Sequence, residues 1–208
     1  MIMKVVIATH NKDKLKELKR GLSDLNVELL DLSHFPYIGD IEETGNSLKE
    51  NAYIKAKHVY DITGLPSIAD DTGLEVDALN GAPGVYTARF AGEECTYQDN
   101  INKMLEVMKT VKDEDRGATF KTIISFVDSS RKLFIEGKIK GMICKKDKKK
   151  LASFGYDPIF YVVEEKKTFS EMNIDDKNKI SHRGLAIKKL KLILSSYLKE
   201  IPNEEESA

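Results

Sequence analysis

Hydrophobic positions in the first third of the chain alternate between runs typical of strands and spacings typical of helices. Residues 4–8 form a β-branched run that predicts a buried strand, and leucines then recur at helical spacing over residues 15–22, weakened by Gly21. Residues 27–30 predict a second strand, and residues 33–45 read as a long loop. The order is therefore strand, helix, strand, loop.

A second helix is predicted after this loop. Ser47 and Glu50 form a capping-box signature, and an apolar stripe continues until Gly64 and Pro66 end it. Such a helix places Asn51 and Lys55 on one face, four residues apart. Residues 68–78 then supply strand material, followed by a turn at residues 80–84.

The second half of the chain predicts a helix at residues 96–108, followed by more strands. Apolar runs at residues 120–127 and 132–143, joined by a short polar segment, predict an antiparallel hairpin. A strand at residues 158–163 and a helix at residues 181–199 follow, and residues 201–208 resemble a frayed tail. We therefore expect one α/β domain over residues 1–200, with a mixed sheet and flanking helices.

Charge and cysteine content exclude several classes. The 208 residues carry a formal net charge of -1, which leaves no global electrostatic footprint for nucleic acid or an acidic membrane. Cys95 and Cys144 are far apart and match neither a disulfide framework nor a zinc site, which favours a reducing compartment. No leader or membrane-spanning stretch is predicted, so we expect a cytoplasmic protein with neither nucleic-acid nor membrane partners.

An aspartate pair at Asp70 and Asp71 is the most informative chemical feature. Adjacent carboxylates repel each other and raise one pKa, so they are retained chiefly where a cation or a proton is shared. A divalent metal ion would fill that role. The alternative interpretation is a solvated turn.

A set of polar residues between the first strand and the first helix is suited to bind an anion, because backbone N–H groups and the helix dipole favour negative charge there. No Walker loop is present, and the alternative is an N-cap followed by surface lysines. The residues of this set are Thr9, His10, Asn11, Lys12, Asp13 and Lys14.

Three further segments carry weaker signals. Glu42 and Glu43 offer the carboxylates that Mg²⁺ prefers, although a solvated acidic loop is the default alternative. The Phe154-Gly155-Tyr156-Asp157 segment combines aromatic rings with a glycine that permits close backbone approach, which suits a flat ring, or it is a turn with Phe154 in the core. Residues 177–184 are interpreted as the donor-rich start of the last helix, with Ser181 as a plain N-cap in the alternative.

Taken in order, these segments resemble the inosine triphosphate pyrophosphatase family, also called the Ham1 family. The matching residues run from Ala8 to Gly184 and include Thr9-His10-Asn11-x-x-Lys14, Glu42-Glu43-Thr44-Gly45, Glu50-Asn51-Ala52-x-x-Lys55-Ala56, Asp70-Asp71-Thr72-Gly73, Gly81-Ala82-Pro83-Gly84, Phe154-Gly155-Tyr156-Asp157-Pro158 and Ser181-His182-Arg183-Gly184. The resemblance implies an elongated mixed sheet, two lobes around a central cleft, a homodimer and Mg²⁺ dependence. It also implies hydrolysis of ITP, dITP and XTP to the monophosphate and pyrophosphate.

The resemblance also assigns roles to residues. It makes Asp71 the general base and a metal ligand, with Glu43 as the other metal ligand. It assigns the triphosphate to Thr9, Asn11, Lys14, Lys55, Thr72 and Lys177, and the base and sugar to Phe154, Gly155, Tyr156, Asp157, His182 and Arg183. The sequence departs from the family pattern at His10, Thr72 and Ser153, and the segment from Lys145 to Lys150 is unusually rich in lysine, which we interpret as a solvated loop.

Two other functions remain open at this point. A Maf-like pyrophosphatase of modified pyrimidine nucleotides would use the same chemistry on a different base. A catalytically silent nucleotide-binding regulator would bind triphosphate without releasing pyrophosphate, although the intact aspartate pair disfavours it. A protein with interaction as its only role would not need phosphate donors on three separate segments.

Overall fold

A computed structural model describes residues 2–147 and 154–200. The described residues do not include the predicted tail at residues 201–208, Ser153, or residues 148–150 of the lysine-rich segment. The strands are β1 (Met3–Ile7), β2 (Val27–Asp31), β3 (Ser67–Val76), β4 (Pro83–Gly84), β5 (Gly117–Val127), β6 (Lys132–Ile143), β7 (Phe160–Val162) and β8 (Lys167–Thr168). The helices are α1 (Lys12–Gly21), α2 (Leu48–Thr63), α3 (Tyr97–Val107), α4 (Ile174–Ile180) and α5 (His182–Glu200).

The strands form a mixed sheet, which confirms the predicted α/β class. The strand order is β2-β1-β3-β5-β6-β7-β8, with β4 paired to β3. Strand β1 is parallel to both β2 and β3, whereas the β3–β4, β6–β7 and β7–β8 pairs are antiparallel. Strands β5 and β6 are neighbours, as the predicted hairpin requires.

The described chain divides into two compact units. Unit 1 contains the residues up to Asp71, together with Ile123–Glu136 and the residues from Gly184 onward. Unit 2 contains Thr72–Thr122 and Gly137–Arg183. The chain passes between units inside β3, β5 and β6, and again near the start of α5. Within the described ranges, no helix has both the length and the apolar character needed to cross a membrane.

Unit 1 has two hydrophobic clusters that explain the unbroken β-branched run of β1. Val5 and Ile7 belong to the cluster that also contains buried side chains of α1 and α5. Val6 and Ala8 belong to a second cluster with buried side chains of α2. Successive strand side chains point to opposite faces, so Val5, Val6 and Ile7 are all apolar because both faces of β1 are covered there, whereas Lys4 near the start of the strand is exposed.

The core of unit 2 is built around aromatic side chains. Phe120, Phe160 and Phe169 pack together, with centroids 4.6 Å apart for Phe120 and Phe160 and 5.1 Å apart for Phe160 and Phe169. Helix α3 contributes Ile101 and Met104 to the same cluster. These aromatic side chains pack against the start of α5.

Buried Arg116 in unit 2 is a structural arginine that the sequence did not reveal. Its guanidinium donates to four backbone carbonyls, at 2.7 Å to Ile143, 2.7 Å to Met108, 3.2 Å to Val111 and 3.0 Å to Cys144. It therefore joins the end of α3 to the end of β6.

Replacing Arg116 by Met should lower the free energy of unfolding by about 3 kcal/mol, because several buried carbonyl groups would lose their donors at once. Urea denaturation monitored by circular dichroism measures this change. Exposed Lys112 provides the control, and K112M should stay within about 0.5 kcal/mol of the parent. Equal stability of the two variants would contradict the structural role.

The sequence-based elements differ from the structure in several places, including β4, which lies in the segment predicted as a turn. Strand β3 runs unbroken through the aspartate pair, so the turn interpretation is wrong. The predicted strand at residues 158–163 shrinks to Phe160–Val162, and β8 was not predicted. The prediction that residues 177–184 open the last helix was also wrong. Lys177 lies in the separate helix α4, and α5 begins only at His182.

Candidate active site

The polar segment before α1 caps its own helix. Asn11 is the N-cap, and its side-chain oxygen accepts from the backbone N–H of Asp13 at 3.0 Å and of Lys14 at 3.1 Å. The hydroxyl of Thr9 accepts from the N–H of Asn11 at 3.2 Å. The predicted cradle therefore already satisfies three of its N–H groups internally, and the capping alternative is correct for Asn11.

The side chains of this segment take different directions. Lys14 is the member that turns inward, and its Nζ lies 3.5 Å from a carboxylate oxygen of Asp70 and 3.4 Å from the Asp70 carbonyl. His10 is exposed and its Nε2 lies 3.2 Å from the carbonyl oxygen of Gly39. Lys12 and Asp13 are exposed on the surface of unit 1. Lys14 is thus the lysine of this segment that joins the aspartate pair.

The loop that carries Glu43 is fastened to the start of α2. The N–H of Gly45 donates to the side-chain oxygen of buried Asn51 at 2.8 Å. Ser47 caps α2 by accepting from the N–H of Glu50 at 3.2 Å, as predicted. The Glu50 carboxylate accepts from the N–H of Asn46 at 2.6 Å, one residue before the position that a capping box would use.

A cluster of opposite charges forms inside unit 1, which we call the acid–lysine cluster. Lys55 projects from the same face of α2 as Asn51, and its Nζ donates to Glu43 at 2.6 Å and lies 3.8 Å from Asp71. Lys14 contacts Asp70 as described above. The sequence prediction that Asn51 and Lys55 share one face of α2 is met, and in the structure Asn51 fixes the Glu43 loop while Lys55 binds Glu43 itself. The cluster consists of Lys14, Glu43, Lys55, Asp70 and Asp71.

Burial changes the proton affinity of this cluster. Burial raises the pKa of Asp71, and nearby Glu43 and Asp70 act in the same direction, while Lys55 and Lys14 oppose the shift. For Lys55, burial lowers the pKa, but the attraction of Asp71, Glu43 and Asp70 outweighs it and leaves the pKa raised. Lys55 therefore stays charged, and Asp71 is a stronger proton acceptor than a solvated aspartate.

Gly45 is required by close packing. A Cβ at this position would lie 2.6 Å from the Cβ of Glu50 and 2.7 Å from the side-chain oxygen of Asn51. Both neighbours belong to the start of α2, so relief of the clash would displace the loop that carries Glu43.

We expect G45A to cost about 2 kcal/mol of stability and to raise the KM for a substrate that binds beside Glu43, because overpacking would move Glu43 away from Lys55. The matched control is G39A, since a Cβ at Gly39 meets nothing within 4 Å. Thermal unfolding and steady-state kinetics of both variants test this expectation. A G45A protein with the parent KM would contradict it.

The acid–lysine cluster has donors of the right chemistry for a divalent cation, although no complete protein cage exists. Within residues 2–147 and 154–200, no group of three or more His, Cys, Asp or Glu side chains is arranged to hold a metal ion. Mg²⁺ commonly takes only one or two carboxylates and completes its shell with water and substrate phosphates. Glu43 and Asp71 fit that requirement, because a single ammonium group already contacts both of their carboxylates.

Unit 2 holds an aromatic and cationic cluster around Phe154. The rings of Tyr97 and Phe154 meet edge to face with centroids 5.3 Å apart. The Nζ of Lys177 lies 5.7 Å and the guanidinium carbon of Arg183 lies 5.5 Å from the centre of the Phe154 ring. Phe154 is only half-buried, so the alternative that it belongs to the core is wrong. We call these four residues the Phe154 cluster.

The residues after Phe154 are held firmly. Gly155 has φ +51°, a left-handed backbone that favours glycine, and a Cβ there would meet no protein atom within 4 Å. Tyr156 is buried, its hydroxyl donates to the Thr87 carbonyl at 3.0 Å, and burial raises its pKa. Asp157 is buried and accepts from the Nζ of Lys177 at 2.6 Å.

Thr72 and the start of α5 complete the arrangement in unit 2. Arg183, which is 1% exposed, donates from Nη2 to the Thr72 hydroxyl at 3.1 Å. The same hydroxyl lies 2.7 Å from that of Thr122. His182 stacks on Phe120 with centroids 4.5 Å apart and planes 14° apart.

The structure thus groups the predicted residues into two sets. Unit 1 brings together Lys14, Glu43, Lys55, Asp70 and Asp71, with Thr9 and Asn11 supporting the adjoining helix cap. In unit 2, Thr72 and Lys177 contact the residues predicted for the base and sugar, through Arg183 and Asp157 respectively. Sequence reasoning missed Tyr97 and Thr122. An aromatic residue at the first position of α3, directly after the Thr96 cap, was a usable signal for Tyr97, whereas Thr122 had none.

Comparisons with known proteins show the family of this chain. The sequence model of the Ham1 family matches residues 5–193. A dITP/XTP pyrophosphatase of Thermoanaerobacter pseudethanolicus is 46% identical over 198 residues, which cover 95% of this chain and all of that protein. A dITP/XTP pyrophosphatase of Coxiella burnetii is 40% identical and covers 93% of this chain and 98% of that protein.

Solved structures give the same result. A Ham1 protein from Coxiella burnetii superposes with a TM-score of 0.86 at 39% identity, covering 94% of this chain and all of that one. The Staphylococcus aureus Ham1 protein superposes with a TM-score of 0.84 at 36% identity, covering 93% of this chain and 99% of that one. The fold is therefore that of a nucleoside triphosphate pyrophosphatase of the α/β class. This chain belongs to the Ham1 family.

Proposed function

We propose that this protein hydrolyses ITP, dITP and XTP to the nucleoside monophosphate and pyrophosphate, and thereby removes non-standard purine nucleotides from the nucleotide pool. The relatives named dITP/XTP pyrophosphatase, matched over nearly their whole length, support this activity. The observation that carries the proposal is the acid–lysine cluster, in which two inward lysines meet three carboxylates inside one unit.

The acid–lysine cluster binds the triphosphate in this proposal. The ammonium groups of Lys14 and Lys55 supply positive charge to phosphate oxygens, while Thr9, His10, Asn11, Lys12 and Asp13 form the adjoining rim. Glu43 and Asp71 would hold Mg²⁺, which, when bound, neutralises charge on the phosphate oxygens. When the nucleotide enters, Lys55 exchanges part of its contact with Glu43 for a contact with phosphate.

The reaction is an in-line attack of water on the α-phosphorus. Asp71 orients this water and accepts its proton, and pyrophosphate departs as a leaving group stabilised by Lys14 and Lys55. Because burial raises the pKa of Asp71, its carboxylate is better matched to this task than a solvated aspartate. Positioning and electrostatic stabilisation supply most of the acceleration, as in other phosphoryl transfers.

The Phe154 cluster recognises the base and sugar. Phe154 offers a ring face for stacking, with Gly155, Tyr156 and Asp157 setting its position. Arg183 and the adjacent His182 present donors to the oxygen at position 6 of hypoxanthine or xanthine. Adenine carries an amino donor at that position, so binding ATP would leave donors facing donors. Lys177, fixed by Asp157, and Thr72, bonded to Arg183, act at this end of the substrate.

A substrate panel tests the proposal. Pyrophosphate release is measured by coupled phosphate detection with ITP, dITP, XTP, ATP, GTP and dUTP, each with and without Mg²⁺. We expect release from the first three, dependent on Mg²⁺, and at most about one hundredth of that rate from ATP. Preference for dUTP or modified pyrimidines would favour the Maf-like alternative, and binding without pyrophosphate release would favour a regulator.

We also propose that the protein acts as a homodimer in the cytoplasm. The balanced charge and the two separated cysteines suit that compartment, and the dimer comes from the family resemblance. Size-exclusion chromatography with light scattering would give about twice the mass of the 23.5 kDa chain. A monomer at micromolar concentration would contradict the dimer without affecting the proposed reaction.

A further inference from the structure

Strand β5 runs beneath the two residues that open α5. Phe120 and Thr122 are two positions apart in β5, so their side chains lie on the same face of the strand. The ring of Phe120 supports that of His182, and the Thr122 hydroxyl reaches the Thr72 hydroxyl that binds Arg183. Consecutive residues of α5 are therefore supported by alternate residues of one strand.

Of the two hydrogen bonds described above for the Thr72 hydroxyl, the one to Arg183 has a definite direction, whereas in the one to Thr122 either hydroxyl can donate. A guanidinium only donates, so Arg183 occupies a lone pair of the Thr72 oxygen. Thr72 and Thr122 share the remaining short bond of 2.7 Å. Thr72 is β-branched and lies in a strand, so few χ1 rotamers are open to it, and the bond to Thr122 restricts them further. The bond to Thr122 thus fixes the position of the Thr72 hydroxyl oxygen, to which Arg183 donates.

We propose that Thr122 is a positioning residue for base selection, acting through Thr72 to orient the guanidinium of Arg183. Thr122 is fully buried, and only the structure, not a sequence motif, singles it out. The guanidinium of Arg183 has one nitrogen on Thr72 and its carbon 5.5 Å from the Phe154 ring, so these two contacts help to set the orientation of its plane. Without a well-placed Thr72 hydroxyl the guanidinium of Arg183 could rotate. The site would then discriminate less well between an oxygen and an amino group on the purine.

This inference rests on the proposed pyrophosphatase function, and one series of variants separates the two. We compare kcat/KM for ITP and for ATP in the parent, T122V, T122A and T122S. T122V keeps the side-chain shape without the hydroxyl, and T122S keeps the hydroxyl. We expect T122V and T122A to lower the ITP-to-ATP ratio about tenfold, and T122S to restore it to within about twofold of the parent.

A control separates selectivity from general loosening of the fold. Thr168 in unit 2 is also fully buried, and its hydroxyl bonds to Ser170 at 3.0 Å. T168V should lose comparable thermal stability yet keep the parental ratio. An unchanged ratio in T122V, or a T122S protein that remains unselective, overturns the role of Thr122 while leaving the proposed function intact. If T122V does not fold, T122A decides by the same criteria. A parent protein that releases no pyrophosphate from ITP overturns the function and the inference together.

Discussion

Replacing Asp71 by Asn should lower kcat for ITP about a thousandfold while leaving the protein folded. The amide cannot accept the proton of the attacking water and is a weaker ligand for a divalent cation, and general-base contributions of 10²–10⁴ are typical. The side chains are nearly isosteric, so the packing of β3 should not change. Steady-state pyrophosphate release at saturating ITP measures the loss.

The same substitution should stabilise the fold in the absence of divalent cations. Burial raises the pKa of Asp71 in the folded state above the value of about 3.9 expected for an unfolded aspartate. Ionised Asp71 therefore costs stability, and this cost develops as the pH rises through the interval between the unfolded and folded pKa values. D71N should thus be at least as stable as the parent at pH 7, with a smaller advantage at pH 4, in urea titrations containing EDTA.

Asp61 offers a matched control for both measurements. It is an exposed carboxylate of α2 that pairs with Lys57, outside the acid–lysine cluster. D61N should keep activity within about twofold and stability within about 0.5 kcal/mol. If D71N kept more than a tenth of the parental kcat, the assignment of Asp71 as the base would fail.

Replacing Lys55 by Met should lower the free energy of unfolding by about 4 kcal/mol. Breaking a buried ion pair by removing one partner typically costs 3–5 kcal/mol, because the remaining charges are left uncompensated. Here the remaining charges are Glu43, Asp70 and Asp71, which together hold the pKa of Lys55 above its ordinary value despite burial. Since the folded pKa is raised, this stabilisation is complete at neutral pH and is lost only as the pH rises through the folded pKa.

Lys57 lies two residues further along α2 and provides the comparison. It is more exposed and pairs with Asp61 at the surface, so K57M should leave the stability close to that of the parent. K55M should also lose at least about a hundredfold in kcat/KM, since the triphosphate loses a cation. A K55M protein within 1 kcal/mol of the parent, judged by urea denaturation, would show that the cluster does not depend on this lysine.

Local patterns predicted much of unit 1. The β-branched run of β1, the cap at Ser47 and the helical spacing of Asn51 and Lys55 are each set by neighbouring residues, and the structure confirms all three. The aspartate pair was recognised as unusual for a physical reason, the cost of adjacent like charges. That reason remains in the structure as the burial of Asp71 beside two lysines.

Unit 2 was harder to predict because its site depends on contacts between distant segments. Strand β8 is two residues long and exists through its pairing with β7, which leaves no periodicity to detect. The separate helix α4 had a signal in the sequence that was missed. Asn173 is its N-cap and accepts from the N–H of Asp176 at 2.8 Å. Thr122 is one of several β-branched residues in β5, and its bond to Thr72 spans 50 positions of sequence.

The ammonium group of Lys55 between Glu43 and Asp71 has a practical consequence at the bench. It balances those carboxylates within the polypeptide itself, so the native state should survive prolonged dialysis against a chelator. Preparations stripped of metal can then be stored, titrated with individual cations and assayed as one uniform starting material.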